Sequence, residues 1–207
     1  LKLKPVPESK KQGYVQLGVE VYGGALLNPW FDRDLSLAGR VDYLDADGGL
    51  KSTLLDLRKP IAFIPSLAIH LDRTANEGRK INPQTEMAPL ISQLGEGEDF
   101  CLEAFLLEQI KAQPGGDSAA EVLSHELMFY DTQPAKLLGL KDEFLASARL
   151  DNLLSCFLAC EALCDSPVTH TSIVVCNDHE EVGSVSTSGA QCPLLRSVVD
   201  RPLGSVG

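Results

Sequence analysis

The chain has 207 residues, 44% of them hydrophobic, with six cysteines, a formal net charge of −11 and a pI near 4.8. That is enough apolar material for one sizeable core or, preferably, two smaller ones, and the acidic balance speaks against the basic stripe of a nucleic-acid-binding surface. No run of about twenty apolar residues occurs and the amino terminus carries no apolar signal core, so neither a membrane span nor a secretion signal is read in this sequence.

In chain order, Gly13 to Val41 and Leu54 to Ile64 read as short strands with turns. Val15-Gln16-Leu17-Gly18-Val19-Glu20-Val21 alternates with period two, and Asp45-Ala46-Asp47-Gly48-Gly49 has the composition of a hairpin tip. Mixed, partly helical segments follow Pro65, among them Phe100 to Ile110, whose apolar residues recur at helical spacing. Pro114-Gly115-Gly116-Asp117 is a chain break. Beyond it strand and helix alternate: Val122 to Tyr130 a strand, Asp151 to Cys164 a helix, Thr171 to Asn177 a strand, Gln191 to Val199 a helix. This alternation reads as α/β, a class in which chemistry gathers at the carboxyl ends of strands.

Cys156, Cys160 and Cys164 recur every four residues on one helical stripe, and Cys176 falls in the apolar strand. They read as small apolar core positions rather than a disulfide scaffold, and reduced thiols suit the cytoplasm. The strand leads into Asn177-Asp178-His179-Glu180-Glu181-Val182-Gly183-Ser184. Two adjacent carboxylates at a strand end are costly to hold unless a cation or a proton transfer uses them; the plainer alternative is a solvated acidic loop. Asp151 stands directly before an apolar helical stretch, where a helix N-cap belongs. A carboxylate can also bridge two cations, but the residues by themselves favour the cap.

Three separated blocks carry a resemblance. Tyr22-Gly23-Gly24 with Trp30-Phe31-Asp32-Arg33-Asp34-Leu35 and Ala38-Gly39-Arg40-Val41, then Ala148-Arg149-Leu150-Asp151-Asn152, then Asn177 to Ser184, resemble the M18 family of aminopeptidases, which are zinc exopeptidases. The likeness runs over nearly the whole chain. It implies a two-zinc site in which Asp151 bridges the ions, Glu181 ligates one of them and Glu180 is the general base. It also implies a cis peptide bond after Asp151, although no proline follows. His70, in Ile69-His70-Leu71-Asp72-Arg73, matches a lid histidine that reaches a partner subunit's active site to help hold substrate. Peptide substrates with acidic amino-terminal residues, and homodimers building to a dodecamer, follow by the same resemblance.

The implied fold is α/β: part of a zinc-exopeptidase catalytic domain, with a mixed sheet and flanking helices, plus an inserted β-rich dimerisation or lid domain. Residues 1–5 are expected to be a remnant of the catalytic domain, 6–125 the lid, and 126–207 the incomplete catalytic domain. The family pattern also has a histidine ligand that should precede Leu1, and an aspartate and a histidine beyond the acid pair. The sequence therefore reads as an internal fragment, with the activity belonging to its parent. Two rivals stay open: a two-zinc amidase or deacylase with the same acidic residues, and a non-catalytic oligomerisation module.

Other prominent residues read as structural. Asp32, Arg33 and Asp34 suggest an ion-pair network, His179 a packing or supporting role, and His125 and His170 structural or exposed positions. Gly183 and Gly189 do not form a dinucleotide-binding fingerprint.

Overall fold

The computed structural model describes residues 1–167 and 169–204, residues 202–204 by their backbone alone. They form two compact units, Leu1–Gln133 and Pro134–Gly207.

The amino-terminal unit is built on β1 (Lys2–Lys11), β2 (Tyr14–Glu20), β3 (Leu35–Asp45), β4 (Leu50–Asp56), β5 (Leu90–Gln93) and β6 (Ala119–Asp131). They make one antiparallel sheet in the order β4-β3-β6-β1-β2-β5. Strand β2 shows how the alternation becomes a face: Val15, Leu17 and Val19 are buried while the residues between them are not. The β3–β4 hairpin closes where the turn composition placed it. There the Asp45 carboxylate accepts hydrogen bonds from the Asp47 and Gly49 amides at 3.1 and 2.7 Å.

Helix α1 (Leu102–Lys111) buries Leu102, Leu106 and Ile110, one stripe at i, i+4 and i+8, in the core shared with Leu17, Leu37, Leu127 and Phe129. Its first amide is capped from a distant strand, Leu102 N–H donating to Glu8 Oε1 at 2.6 Å. The helix stops before Gly116, where a side chain would collide with the Ile110 carbonyl.

A boundary at 125/126 would cut β6 between His125 and Glu126, whose partners on β3 are Val41 and Arg40 in an uninterrupted ladder; the compact unit instead runs to Gln133. Residues 1–5 also belong to this unit, because Lys2 and Leu3 pair with Glu20 and Val19 and Leu3 is buried. Val122 to Tyr130 is a strand as expected, but in an antiparallel sheet rather than in alternation with helices.

The Trp30 to Asp34 segment ties loops together. Asp32 accepts the Ser66 amide at 2.8 Å, and Arg33 bonds to Gln133 at 2.6 Å and pairs with Asp131 at 3.4 Å. Arg79 lies 4.6 Å over the Phe31 ring and pairs with Glu86 at 2.7 Å, anchoring the long segment after Pro65.

The carboxy-terminal unit contains a two-stranded ladder of β7 (Lys136–Leu138) and β8 (Phe144–Ala146), then α2 (Leu150–Asp165), a 3-10 turn at Glu180–Val182 and α3 (Leu194–Gly204). Helix α3 starts later than expected. The Pro193 carbonyl accepts the Ser197 amide at 2.9 Å, setting the first turn just after the proline. Thr171 to Asn177 is not a strand, because no neighbour among the described residues forms a ladder with it; Ile173, Val174 and Val175 remain exposed. The cysteine expectation is corrected for the same reason: Cys160, Cys164 and Cys176 are exposed and only Cys156 is partly covered. With a six-stranded antiparallel sheet and three helices among the described residues, the fold class is mixed α/β.

Candidate active site

Asp151 stands at an irregular entrance to α2. Arg149 is left-handed with φ of 62°, Asp151 has φ −85° and ψ 113°, and Asn152 has φ −116° and ψ 20°. The Asp151–Asn152 peptide bond is cis, as the family resemblance implied. Regular helix therefore begins only after Asn152, and the capping role favoured by the local sequence does not hold. Among the described residues the Asp151 carboxylate accepts no hydrogen bond and makes no ion pair. The Asn152 side chain is held instead, its Oδ1 accepting the Cys156 thiol at 3.3 Å.

The acid pair is carried by a loop that is latched on itself. Asp178 N–H donates to the Ser188 carbonyl and Gln191 N–H to the Ser184 carbonyl, both at 3.0 Å. His179, left-handed with φ of 61°, places Nδ1 2.7 Å from Ser186 Oγ and Nε2 3.6 Å from the Asp178 carboxylate. Gly189 is buried so closely that a Cβ would stand 2.7 Å from the Ser184 carbonyl carbon. The loop so braced presents Glu180 and Glu181 on a 3-10 turn ending at Gly183, whose φ is 108°. Like Asp151, both glutamates are exposed, and neither carboxylate is engaged in a hydrogen bond or ion pair among the described residues.

The two segments meet at one cavity of about 350 Å³, whose lining includes Asn152, Cys156, Cys176, Asp178, Glu180 and Ser184. Asn152, the neighbour of Asp151, and Glu180, the neighbour of Glu181, thus share a site; Asp151 and Glu181 do not themselves line it. The three carboxylates do not gather into a ligand cluster. Among the described residues, the one set of three His, Cys, Asp or Glu donors within 4.8 Å of one another is Glu8, Cys101 and Glu103, in the other unit, where Glu8 already caps α1. Unengaged carboxylates suit a hard or borderline cation such as zinc, but two of them do not complete a zinc shell, so this chain's donors fit the ion only as a partial set.

His70 lies exposed in the Pro65 to Met87 segment of the amino-terminal unit. Local sequence reasoning did not reach the His179–Ser186 latch or the Cys156–Asn152 bond. The second had a signal, a spacing of i to i+4 on a helix.

The model of a protein family described as aminopeptidase I zinc metalloprotease, M18, matches residues 1–206. The fold is that of a metalloprotease family, and the chain belongs to M18. It is 55% identical over 203 residues to the probable M18 family aminopeptidase 2 of Pseudomonas entomophila, covering 98% of this chain and 47% of that protein. The chain thus spans about half the length of the curated relatives it matches. Among solved structures it is similar to the chain in the cryo-EM structure of the Ape4 and Nbr1 complex, with 37% identity, a TM-score of 0.82, and coverage of 97% of this chain and 42% of that one. It is also similar to the mApe1 dodecamer of S. cerevisiae, with 29% identity, a TM-score of 0.72, and coverage of 97% and 45%. No helix among the described residues is long and apolar enough to cross a membrane.

Proposed function

We propose that the whole protein containing this chain is a cytoplasmic, zinc-dependent aminopeptidase that removes amino-terminal residues, acidic ones included, from peptides. The observation that carries this reading is that Asn152 and Glu180, the neighbours of Asp151 and Glu181, share one cavity, with all three carboxylates unengaged among the described residues, in a chain that matches the M18 family over residues 1–206. Asp151 and Glu181 would be two of the residues that hold zinc, with Asp151 shared between two ions as the family resemblance implies. The remaining donors come from the rest of the protein.

When bound, zinc supplies the Lewis acidity that polarises a peptide carbonyl and acidifies a water. Glu180 takes the proton from the attacking water and returns it to the departing amine nitrogen. The loop bonds through Ser184, Ser186 and Ser188 brace the turn that carries Glu180, and His70 contributes to substrate binding. By analogy with the dodecamer of the similar yeast enzyme, the protein assembles as homodimers into a dodecamer.

The test is Glu180→Gln in the whole protein, assayed on aminoacyl anilides with zinc content measured in parallel. Turnover should fall by roughly 10²-fold or more while zinc is retained, the usual span for losing a general base. Normal turnover would remove Glu180 from the base role. Exclusive turnover of N-acyl amino acids by the unmodified protein would replace the aminopeptidase reading with an amidase or deacylase.

A further inference from the structure

The Trp30 to Asp34 motif contains one side chain that the fold does not use. Asp32 accepts the Ser66 amide and Arg33 pairs with Asp131, but the Asp34 carboxylate makes no hydrogen bond or ion pair among the described residues. Lys59 is in the same state, although its neighbour Arg58 pairs with Asp56 at 3.1 Å. These two charges of opposite sign line one cavity of about 760 Å³ without pairing with each other. The cavity is a product of the sheet. The segment 61–64 bonds to Leu35 on one side and to Leu90 on the other: Leu35 N–H donates to the Ala62 carbonyl and Leu90 N–H to the Phe63 carbonyl, both at 2.9 Å. Strand β5 is thereby tied back to β3, and the strands between them close a ring. Leu17, Leu37, Ala62 and Leu102 give the cavity a buried apolar lining, while Phe63, Phe100 and Phe105 add aromatic rings that are only partly covered. An apolar cavity with a few charged groups, set in a ring of strands, is a common form of small-molecule site.

We infer that this cavity binds an apolar amino acid or dipeptide with both ends free, its ammonium on Asp34, its carboxylate on Lys59 and its side chains among the aromatic rings. Each part of the lining answers one part of such a molecule. A fatty acid or other anionic amphiphile would leave Asp34 unpaired or facing a like charge, and an apolar amine would do the same to Lys59. A zwitterion with an apolar body satisfies both. The volume lies within the roughly 300–1,000 Å³ of small-ligand sites. A free amino acid and a dipeptide share this end-group chemistry and are separated by their affinities. The inference does not depend on the peptidase reading, because every lining residue belongs to the Leu1–Gln133 unit, whereas Asp151, Glu180 and Glu181 belong to the other.

The test is calorimetric titration of this chain with leucyl-phenylalanine and with phenylalanine, in EDTA so that no hydrolysis competes. Saturable binding is expected, the tighter ligand identifying the source, and glycylglycine should not bind. The amino-terminally acetylated and carboxy-terminally amidated dipeptides each lack one end charge and should bind roughly 5–10-fold more weakly. Asp34→Asn should weaken the free dipeptide by a similar factor yet leave the acetylated form unchanged, and Lys59→Gln should do the same with the amidated form. Phe63→Ala should weaken all three. No saturable binding at millimolar ligand, equal binding of the blocked and free dipeptides, or binding of glycylglycine as tight as that of leucyl-phenylalanine would overturn the proposal. A chain that sediments as a dimer and takes up no ligand would overturn it too, assigning the cavity to a second copy. The blocked ligands are compared on the unsubstituted chain, so the outcome is decided even if a variant fails to fold.

Discussion

Gly39→Ala tests the arrangement of the large sheet at its most crowded point. Gly39 lies in β3 opposite Leu55 on one side and Leu127 on the other, with φ of +150°. An added Cβ would overlap the Glu126 carbonyl oxygen and stand 2.9 Å from Leu127 Cα, both of them backbone that cannot swing away. The backbone conformation alone costs about 1–3 kcal/mol for a residue with a side chain. Parting β3 from β6 weakens ladder hydrogen bonds at roughly 0.5–1.5 kcal/mol each. The sum for two strained bonds is about 2–6 kcal/mol, centred near 4 kcal/mol. Gly48→Ala is the matched control: φ is +78° and nothing lies within 4 Å, so only the conformational cost of about 1–2 kcal/mol remains.

Urea unfolding followed by fluorescence of Trp30, the single tryptophan and a half-buried member of this unit, reads the difference directly. With a slope of about 2 kcal/mol/M, the Gly39 variant should unfold about 1 M earlier than the Gly48 variant. Equal midpoints would show that β3 and β6 are not packed as described.

The same Trp30 signal checks two further expectations. Leu106→Ala removes a fully buried side chain from the α1 stripe and should cost about 2–5 kcal/mol, against no more than about 0.5 kcal/mol for Glu108→Ala on the exposed face; equal losses would place the stripe elsewhere. Burial lowers the His125 pKa from 6.5, with the Glu103 charge opposing, and its Nδ1 is enclosed without a partner. The unfolded chain therefore binds the proton more tightly, so the stability held above the unfolded pKa is lost as pH falls from 6.5 to the lower folded value. His125→Gln should flatten the midpoint's pH dependence in that window, and an unchanged slope would acquit His125.

The alternation in β2, the hairpin tip after Asp45, the α1 stripe and the helix after Asn152 were legible because each is encoded by residues within a turn or two of one another. The family motifs likewise pointed to Asp151, Glu180 and Glu181, and the cis bond after Asp151 stands where they implied it. Local chemistry alone misjudged Asp151 as a cap, since an acidic residue before an apolar helix has the same signature whether or not it bonds to the helix amides. Thr171 to Asn177 shows the converse error. Its apolar pattern is that of a strand, but a strand exists only where another backbone answers its hydrogen bonds.

What the amino-acid order determined by itself is the set of short-range decisions: which residues turn, which alternate, which form a helical face, and which acidic residues are set apart by their motifs. Only tertiary structure decided that β6 joins β1 and β3, that the first residues belong to the same sheet and that Asn152 and Glu180 share a cavity. Those outcomes depend on backbone partners and side-chain contacts tens of residues apart. No local pattern specifies them, because the free energy that selects them comes from packing and pairing between segments rather than from any segment alone.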